Sequence, residues 1–151
     1  MKIVPISALS DNYIWLIHDE ESAVCVDPGD AAPVLALLQQ KQLDLDAIVL
    51  THHHNDHIGG VADLQAAYPD VAVYGPDDIA CVNQALKEGQ ELNLLGQVWR
   101  VWFVPGHTHN HLAYILRIEG KNRLHVFCGD TLFSAGCGRV FTGTIEQLEQ
   151  S

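Results

Sequence analysis

Basic residues are scarce in this sequence: eight Lys and Arg stand against nineteen Asp and Glu, for a formal charge of −11. A surface of that sign repels nucleic-acid phosphate and anionic lipid, so neither nucleic acid nor a membrane is an expected partner. A long apolar run is lacking as well. The opening MKIVPISALSDNYIWLIHDE carries one basic residue and soon meets Asp11, Asp19 and Glu20. That excludes the pattern of a signal peptide or a membrane helix and predicts a cytoplasmic protein. Cysteine is limited to Cys25, Cys81, Cys128 and Cys137, with no zinc-knuckle spacing. In a chain of ordinary size these read as buried reduced thiols, not as a disulfide framework. No low-complexity segment, internal repeat or linker interrupts the chain. The remaining composition, 48% hydrophobic and 18% charged over 151 residues, is that of one globular domain spanning 1–151.

Apolar runs at Tyr13 to Ile17 and Ala23 to Val26, parted by the polar stretch HDEES, predict a β-hairpin. Asp27-Pro28-Gly29-Asp30 ends the second strand. Val34, Leu35, Leu37 and Leu38 then mark one face of a helix over 31–40 that Asp30 is placed to cap. Ala47 to Leu50 reads as a buried strand that runs straight into Thr51-His52-His53-His54-Asn55-Asp56-His57. After Gly59-Gly60 come a helix over 61–68 stopped by Pro69, a strand over 71–74, and a β-rich stretch from Leu92 to Val104 broken by Pro105-Gly106-His107. Strands over 112–118 and 124–128 flank a turn at 119–122. A helix beginning at Thr144 has only about seven residues, too few to be stable alone, and the sequence reads as cut rather than completed.

Histidines at the exit of a buried strand suggest metal ligation, not a solvated tract. On extended backbone alternate side chains share a side, so His52, His54 and Asp56 are expected to converge on one cavity. His57 would then be turned towards a second ion by the entry into the next helix. Two further strand exits supply His107, a third imidazole, and Asp130, whose two oxygens could bridge two ions. His109 and His111 are read as hydrogen-bonding neighbours or surface residues. Imidazole with carboxylate suits zinc and its first-row neighbours, and a mixed His/Asp set is typical of metal-dependent hydrolysis.

Thr51 to His57, Gly106-His107-Thr108 and Gly129-Asp130-Thr131-Leu132-Phe133, with Asp11-Asn12-Tyr13, Val26 to Asp30, Tyr74-Gly75-Pro76 and Gly136-Cys137-Gly138-Arg139, resemble the metallo-β-lactamase superfamily. Within it they resemble the hydroxyacylglutathione hydrolases, glyoxalase II. The resemblance covers essentially the whole chain and corresponds to the family's N-terminal, metal-binding part. It implies an α/β fold layered αββα, truncated here at its C-terminus. It further implies a first zinc ion on His52, His54 and His107, a second on Asp56 and His57, and Asp130 bridging both. Iron or manganese are alternative metals. Asp27 would steady the histidine loop from behind, Asp56 and Asp130 would act in catalysis, and Arg139 and Phe141 would contact the glutathione substrate. The implied reaction is hydrolysis of S-D-lactoylglutathione to D-lactate and glutathione, a step of methylglyoxal detoxification.

This sequence departs from the family pattern in several places. No histidine follows Asp130 in these 151 residues to complete the second ion's shell, and the family's helical C-terminal substrate-binding domain is expected to be missing. Asn110 replaces a usual glycine, and Phe141 stands where some members have tyrosine. A weak second ion and self-association through uncovered apolar surface are therefore expected. Two other readings are a metal-binding fragment with little or no turnover, and an iron persulfide dioxygenase using His52, His107 and Asp130. Asp130 argues against the zinc β-lactamases that place cysteine at this ligand position.

Overall fold

The computed structural model describes every residue from Met1 to Ser151. In chain order its elements are β1 (Lys2–Ala8), β2 (Asn12–His18), β3 (Ser22–Val26), α1 (Ala31–Lys41), β4 (Asp44–Val49), α2 (Asn55–Ile58), α3 (Val61–Ala67), β5 (Ala72–Gly75) and β6 (Gln84–Ala85). They continue with β7 (Glu91–Leu94), β8 (Gln97–Phe103), β9 (Leu112–Arg117), β10 (Leu124–Phe127), a 3₁₀ turn at Gly129–Thr131, β11 (Leu132–Phe133), β12 (Gly136–Cys137) and α4 (Ile145–Gln150). The first six strands form one sheet in sequence order. Its β1–β2 and β2–β3 pairs are antiparallel, and β3 through β6 run parallel. The second sheet, ordered β10-β9-β8-β7, is antiparallel throughout.

The continuous apolar runs of β2, β3 and β4 follow from burial on both faces of the first sheet. Ile14, Leu16, Ala23, Cys25, Ile48 and Leu50 pack under α1 and α3 through Val34, Leu38, Val61 and Leu64. Their neighbours Ile17, Val24, Val26, Ala47 and Val49 face the second sheet through Trp99, Val101, Tyr114, Leu116 and Phe127. Asp30 caps α1 as anticipated, its carboxylate accepting from the Ala32 amide at 2.9 Å. The hairpin at residues 19–21, the strand at 44–49 and the helix stopped by Pro69 all form.

The layers are helix, sheet and sheet. The outer face of the second sheet shows Val98 and Trp102 to solvent, so three of the four layers of the expected αββα fold lie within this chain. The helix that follows that sheet, α4, lies instead against Pro105 and Gly106. It is held as a single capped turn by Thr144, whose hydroxyl accepts from the Gln147 amide. All four thiols are free, but only Cys25 is buried; Cys137 sits exposed in the β11–β12 hairpin, which no layer covers. No helix is long and apolar enough to cross a membrane.

Candidate metal centre

The loops that follow β3, β4, β8 and β10 gather at one end of the sandwich, past the carboxyl ends of the parallel strands β3 and β4, where ligand sites of α/β sheets form. Asp27, first in line after β3, adopts a left-handed backbone at φ 51° and turns its carboxylate under the histidine loop. Its Oδ1 accepts from the Thr51 amide at 2.8 Å. Its Oδ2 accepts from the Thr51 hydroxyl at 2.7 Å and from His57 Nδ1 at 3.0 Å. Gly29 lies so close to α2 that a Cβ there would sit 1.9 Å from the Asp56 carbonyl oxygen. Any side chain at this position would push the Asp56–His57 turn away.

Protonation follows from these bonds. The Thr51 hydroxyl spends its proton on Asp27, so its oxygen accepts from His52 Nδ1 at 3.0 Å, which leaves a bare lone pair on His52 Nε2. His107 Nδ1 donates to the Arg139 carbonyl at 2.6 Å, which leaves a second lone pair on His107 Nε2. Both lone pairs point at His54 Nδ1, from 3.1 and 3.0 Å, and one ring proton cannot serve the two. Asp130 Oδ2 lies 3.4 Å from His107 Nε2. Four donors converging in this way could hold a cation. A second group forms where His57 Nε2 faces Asp130 Oδ1 at 3.1 Å and Asp56 Oδ2 at 3.5 Å. Within each cluster, His52/His54/His107/Asp130 and Asp56/His57/Asp130, the donor atoms all lie within 4.8 Å of one another. The residues therefore fit two metal ions, with Asp130 common to both groups.

The electrostatics agree with the geometry. Burial, reinforced by the facing His57, His111, His107 and His54 rings, drives His52 far below the ordinary histidine value and keeps it neutral and able to ligate. Burial also lowers His54, with His107 and His53 adding to the effect. On His57 burial acts in the same direction, but the Asp27 and Asp130 carboxylates outweigh it and push the ring up to about 10. Burial would raise Asp130, yet its bond to His57 prevails and holds the carboxylate low. Without metal, the Asp27 and Asp130 carboxylates thus favour the imidazolium form of His57.

Every anticipated ligand lies in one of the two clusters, but not in the arrangement that strand geometry suggested. Asp56 does not share a cavity with His52 and His54. Residues 55–58 close into a helical turn, which rotates Asp56 and His57 together towards the second cluster. His53 and His109 stand outside both clusters. His53 lies 3.6 Å from Asp78, and His109 is exposed. His111 is fully buried and stacks on His52 at 4.6 Å and 18° between planes, its Nδ1 donating to the Leu112 carbonyl. Burial lowers its pKa to about 4. Arg139 is exposed and meets the clusters through its carbonyl alone. The Phe141 ring stands edge-on to His54 and His107, with centroids 4.9 and 5.2 Å away. Three positioning groups were not foreseen: Thr51, the Arg139 carbonyl, and Asn12, whose amide donates to Asp56 Oδ2 at 2.9 Å across 44 residues of sequence. The Thr51 hydroxyl stands next to the histidine tract and Asn12 lies in the Asp11-Asn12-Tyr13 match to the family, whereas the Arg139 carbonyl gave no local signal.

A cleft of about 820 Å³ opens beside Asp56, His57 and Asp130, walled by Ile3, Tyr13, Trp15, Val126 and Phe133. A family model described as metallo-beta-lactamase superfamily matches residues 9–146. A hydroxyacylglutathione hydrolase from Vibrio campbellii is 51% identical over 154 residues, a match that takes in all of this chain and 59% of that protein. The chain thus spans about three-fifths of the length of the curated relatives it matches. Among solved structures, the BLEG-1 B3 metallo-beta-lactamase superposes with a TM-score of 0.86 at 24% identity, over 97% of this chain and 81% of that one. TTHA1623 in a di-iron-bound form gives 0.74 at 29% identity, over 99% and 83%.

Proposed function

The chain belongs to the metallo-β-lactamase superfamily, and we propose that it is a metal-dependent thioester hydrolase that converts S-D-lactoylglutathione to D-lactate and glutathione, a step of methylglyoxal detoxification. The observation that carries this reading is the pair of donor clusters joined through the two oxygens of Asp130. The half-identical hydroxyacylglutathione hydrolases supply the substrate class. His52, His54, His107 and Asp130 would hold one ion and Asp56, His57 and Asp130 the other. Zinc is the first expectation, and the di-iron form of a structural relative supports iron as the alternative.

Bound at such a centre, divalent ions lower the pKa of water from about 15.7 to about 7 and polarise a carbonyl oxygen. The chain's own residues set the stage for this. Asp27 holds His57 by its Nδ1 proton, so that Nε2 alone faces the centre. Asn12 donates to Asp56 Oδ2, the same oxygen that faces His57 Nε2, and so holds the carboxylate in place beside the second cluster. Hydrolysis breaks the C–S bond and adds one water, and the open cleft offers room for an acyl thioester next to Asp56 and Asp130. Arg139 supplies positive charge for the glycyl carboxylate of glutathione, and Phe141 forms an apolar wall over His54 and His107.

The test is hydrolysis of S-D-lactoylglutathione by protein of known zinc and iron content, beside Asp130→Ala. Metal-dependent turnover that disappears in the variant supports the proposal. Metal bound in both clusters with no turnover on this or related thioesters would reduce the chain to a metal-binding protein, a reading favoured by the three chain donors that are all the second cluster has.

A further inference from the structure

His111 belongs to neither donor cluster, yet it is fully buried beside them. Its backbone is stitched to two of the strand exits that supply ligands. The His111 carbonyl accepts from the Val104 amide, and the next amide, that of Leu112, donates to the Thr51 carbonyl, both at 2.9 Å. The ring is anchored in turn, with Nδ1 donating to the Leu112 carbonyl at 3.0 Å. That leaves Nε2 a bare acceptor, and no partner meets it. A buried nitrogen without a partner costs stability, which an apolar side chain of similar size in the same space would avoid.

The ring meets two neighbours that matter. One is His52, around which four imidazoles lie with centroids 4.2 to 4.8 Å away. His54 and His107 stand edge-on to it at 80° and 87°, His57 tilts at 50°, and His111 alone lies near parallel, at 18°. The other neighbour is the turn that carries Asp130. A Cβ at Gly129 would lie 2.9 Å from Nε2 and Cε1 of the His111 ring, and the Thr131 hydroxyl is 3.4 Å from its Nδ1. Gly129, left-handed at φ 47°, covers the Nε2 edge, through which a ligated ion would have to approach. Asp130 is therefore flanked by two residues that both reach His111.

We propose that His111 is a positioning residue of the metal centre, whose anchored ring aligns His52 by stacking and props the Gly129–Thr131 turn that presents Asp130. The proposal rests on the reading that the two clusters bind metal. His111 itself ligates neither ion. A flat ring fixed to the Leu112 carbonyl gives His52 one preferred plane, in which its Nδ1 proton stays on Thr51 and its Nε2 lone pair faces the first cluster. The ring and its N–H are separable. Asparagine keeps an N–H within reach of the Leu112 carbonyl and lacks the ring, whereas phenylalanine keeps the ring and lacks the N–H.

The experiment is cobalt(II) titration of the full chain followed by visible absorption, beside His111→Asn and His111→Phe, with thermal melts of all three. His111→Asn should weaken cobalt binding about 10–100-fold, the range for outer partners of ligating histidines, and shift the cobalt bands. His111→Phe, which keeps a ring on His52, should lose less affinity and keep bands nearer those of the wild type. Wild-type affinity and bands in His111→Asn, or a His111→Phe as impaired as His111→Asn, would overturn the proposal. Bands that stay in place while only the melts fall would mark a space-filling residue and overturn it as well. The wild type alone gives a further check. Proton NMR of its cobalt form should show contact-shifted ring N–H signals from His52 and His107 and none from His111, and a contact-shifted His111 would be a ligand, contrary to the proposal. A wild type that takes up no cobalt would refute the metal reading, and nitrogen–proton correlation of the metal-free rings then decides on His111. His52 should carry its proton on Nδ1 in the wild type and lose that preference in His111→Asn; an unchanged His52 would overturn the positioning role.

Discussion

Asp27 and His57 are joined at 3.0 Å, and the same carboxylate oxygen takes the Thr51 hydroxyl at 2.7 Å. One buried side chain thus fixes the tautomer of His57 directly and that of His52 through Thr51. Its removal should affect both clusters at once.

Asp27→Asn keeps the shape but loses one acceptor, so the Thr51 hydroxyl and His57 Nδ1 cannot both be satisfied. Outer partners of ligating histidines are worth about 10–100-fold in metal affinity, and a loss of that size is expected. Competition with a chromogenic chelator measures it. Wild-type affinity at both sites would contradict the role given to Asp27.

Gly138 makes the next case. A Cβ there would lie 1.9 Å from the Asp130 carbonyl oxygen and 2.8 Å from His107 Nδ1, whereas one at Gly136 meets nothing within 4 Å. Gly138→Ala must therefore move the segment whose Arg139 carbonyl orients His107, and should cost about 1–3 kcal/mol of stability together with bound metal. Gly136→Ala should leave both unchanged. Thermal melts and metal content of the two variants decide the matter, and equal behaviour would show that the close approach is not needed.

The two clusters should not bind metal equally. Three imidazoles and Asp130 form the first; one imidazole, Asp130 and the half-exposed Asp56 form the second. The second ion must also displace the proton that His57 carries at neutral pH. Calorimetry in two buffers of different ionisation heat should resolve a tighter and a weaker event. The weaker one should release about one proton and tighten as pH rises. Two equally tight sites with no proton release would refute this.

Much of this centre was legible beforehand, and the part that was not has a physical cause. His52, His54, His107 and Asp130 stand at strand exits, and the apolar runs before them identify those exits. The sorting of Asp56 depended on a four-residue helix, too short to leave a periodic signal, and strand alternation placed Asp56 on the wrong side. Asn12 and the Arg139 carbonyl act across long sequence separations through groups that any residue of their kind carries, and only folding shows where these point. The burial of β4 was readable from its unbroken apolar run, whereas β2 and β3 were read only as a hairpin. Uncovered apolar surface was expected too, but which face carries it was not, because nothing in β8 distinguishes Trp102 from the buried Trp99 except alternation.

Removing metal should give the chain a stability profile set by its histidines. His52, His54 and His111 are lowered in the fold relative to an unfolded value of about 6.5. As pH drops below about 6.5 the unfolded chain takes up protons there that the fold refuses, and stability falls. His57 behaves oppositely. Its folded value of about 10 lies above the unfolded one, so its contribution is complete below pH 6.5 and is lost as pH rises through 10. The metal-free melting temperature should therefore peak near neutrality and decline on both sides. With metal bound, the proton on His57 is replaced by the ion, and the alkaline decline should vanish while the acid one remains, because protons compete for the ligating imidazoles. Differential scanning calorimetry from pH 5 to 10 on apo and loaded protein reads both limbs. An apo profile that is flat on the alkaline side would show that His57 is not held as an imidazolium by Asp27 and Asp130.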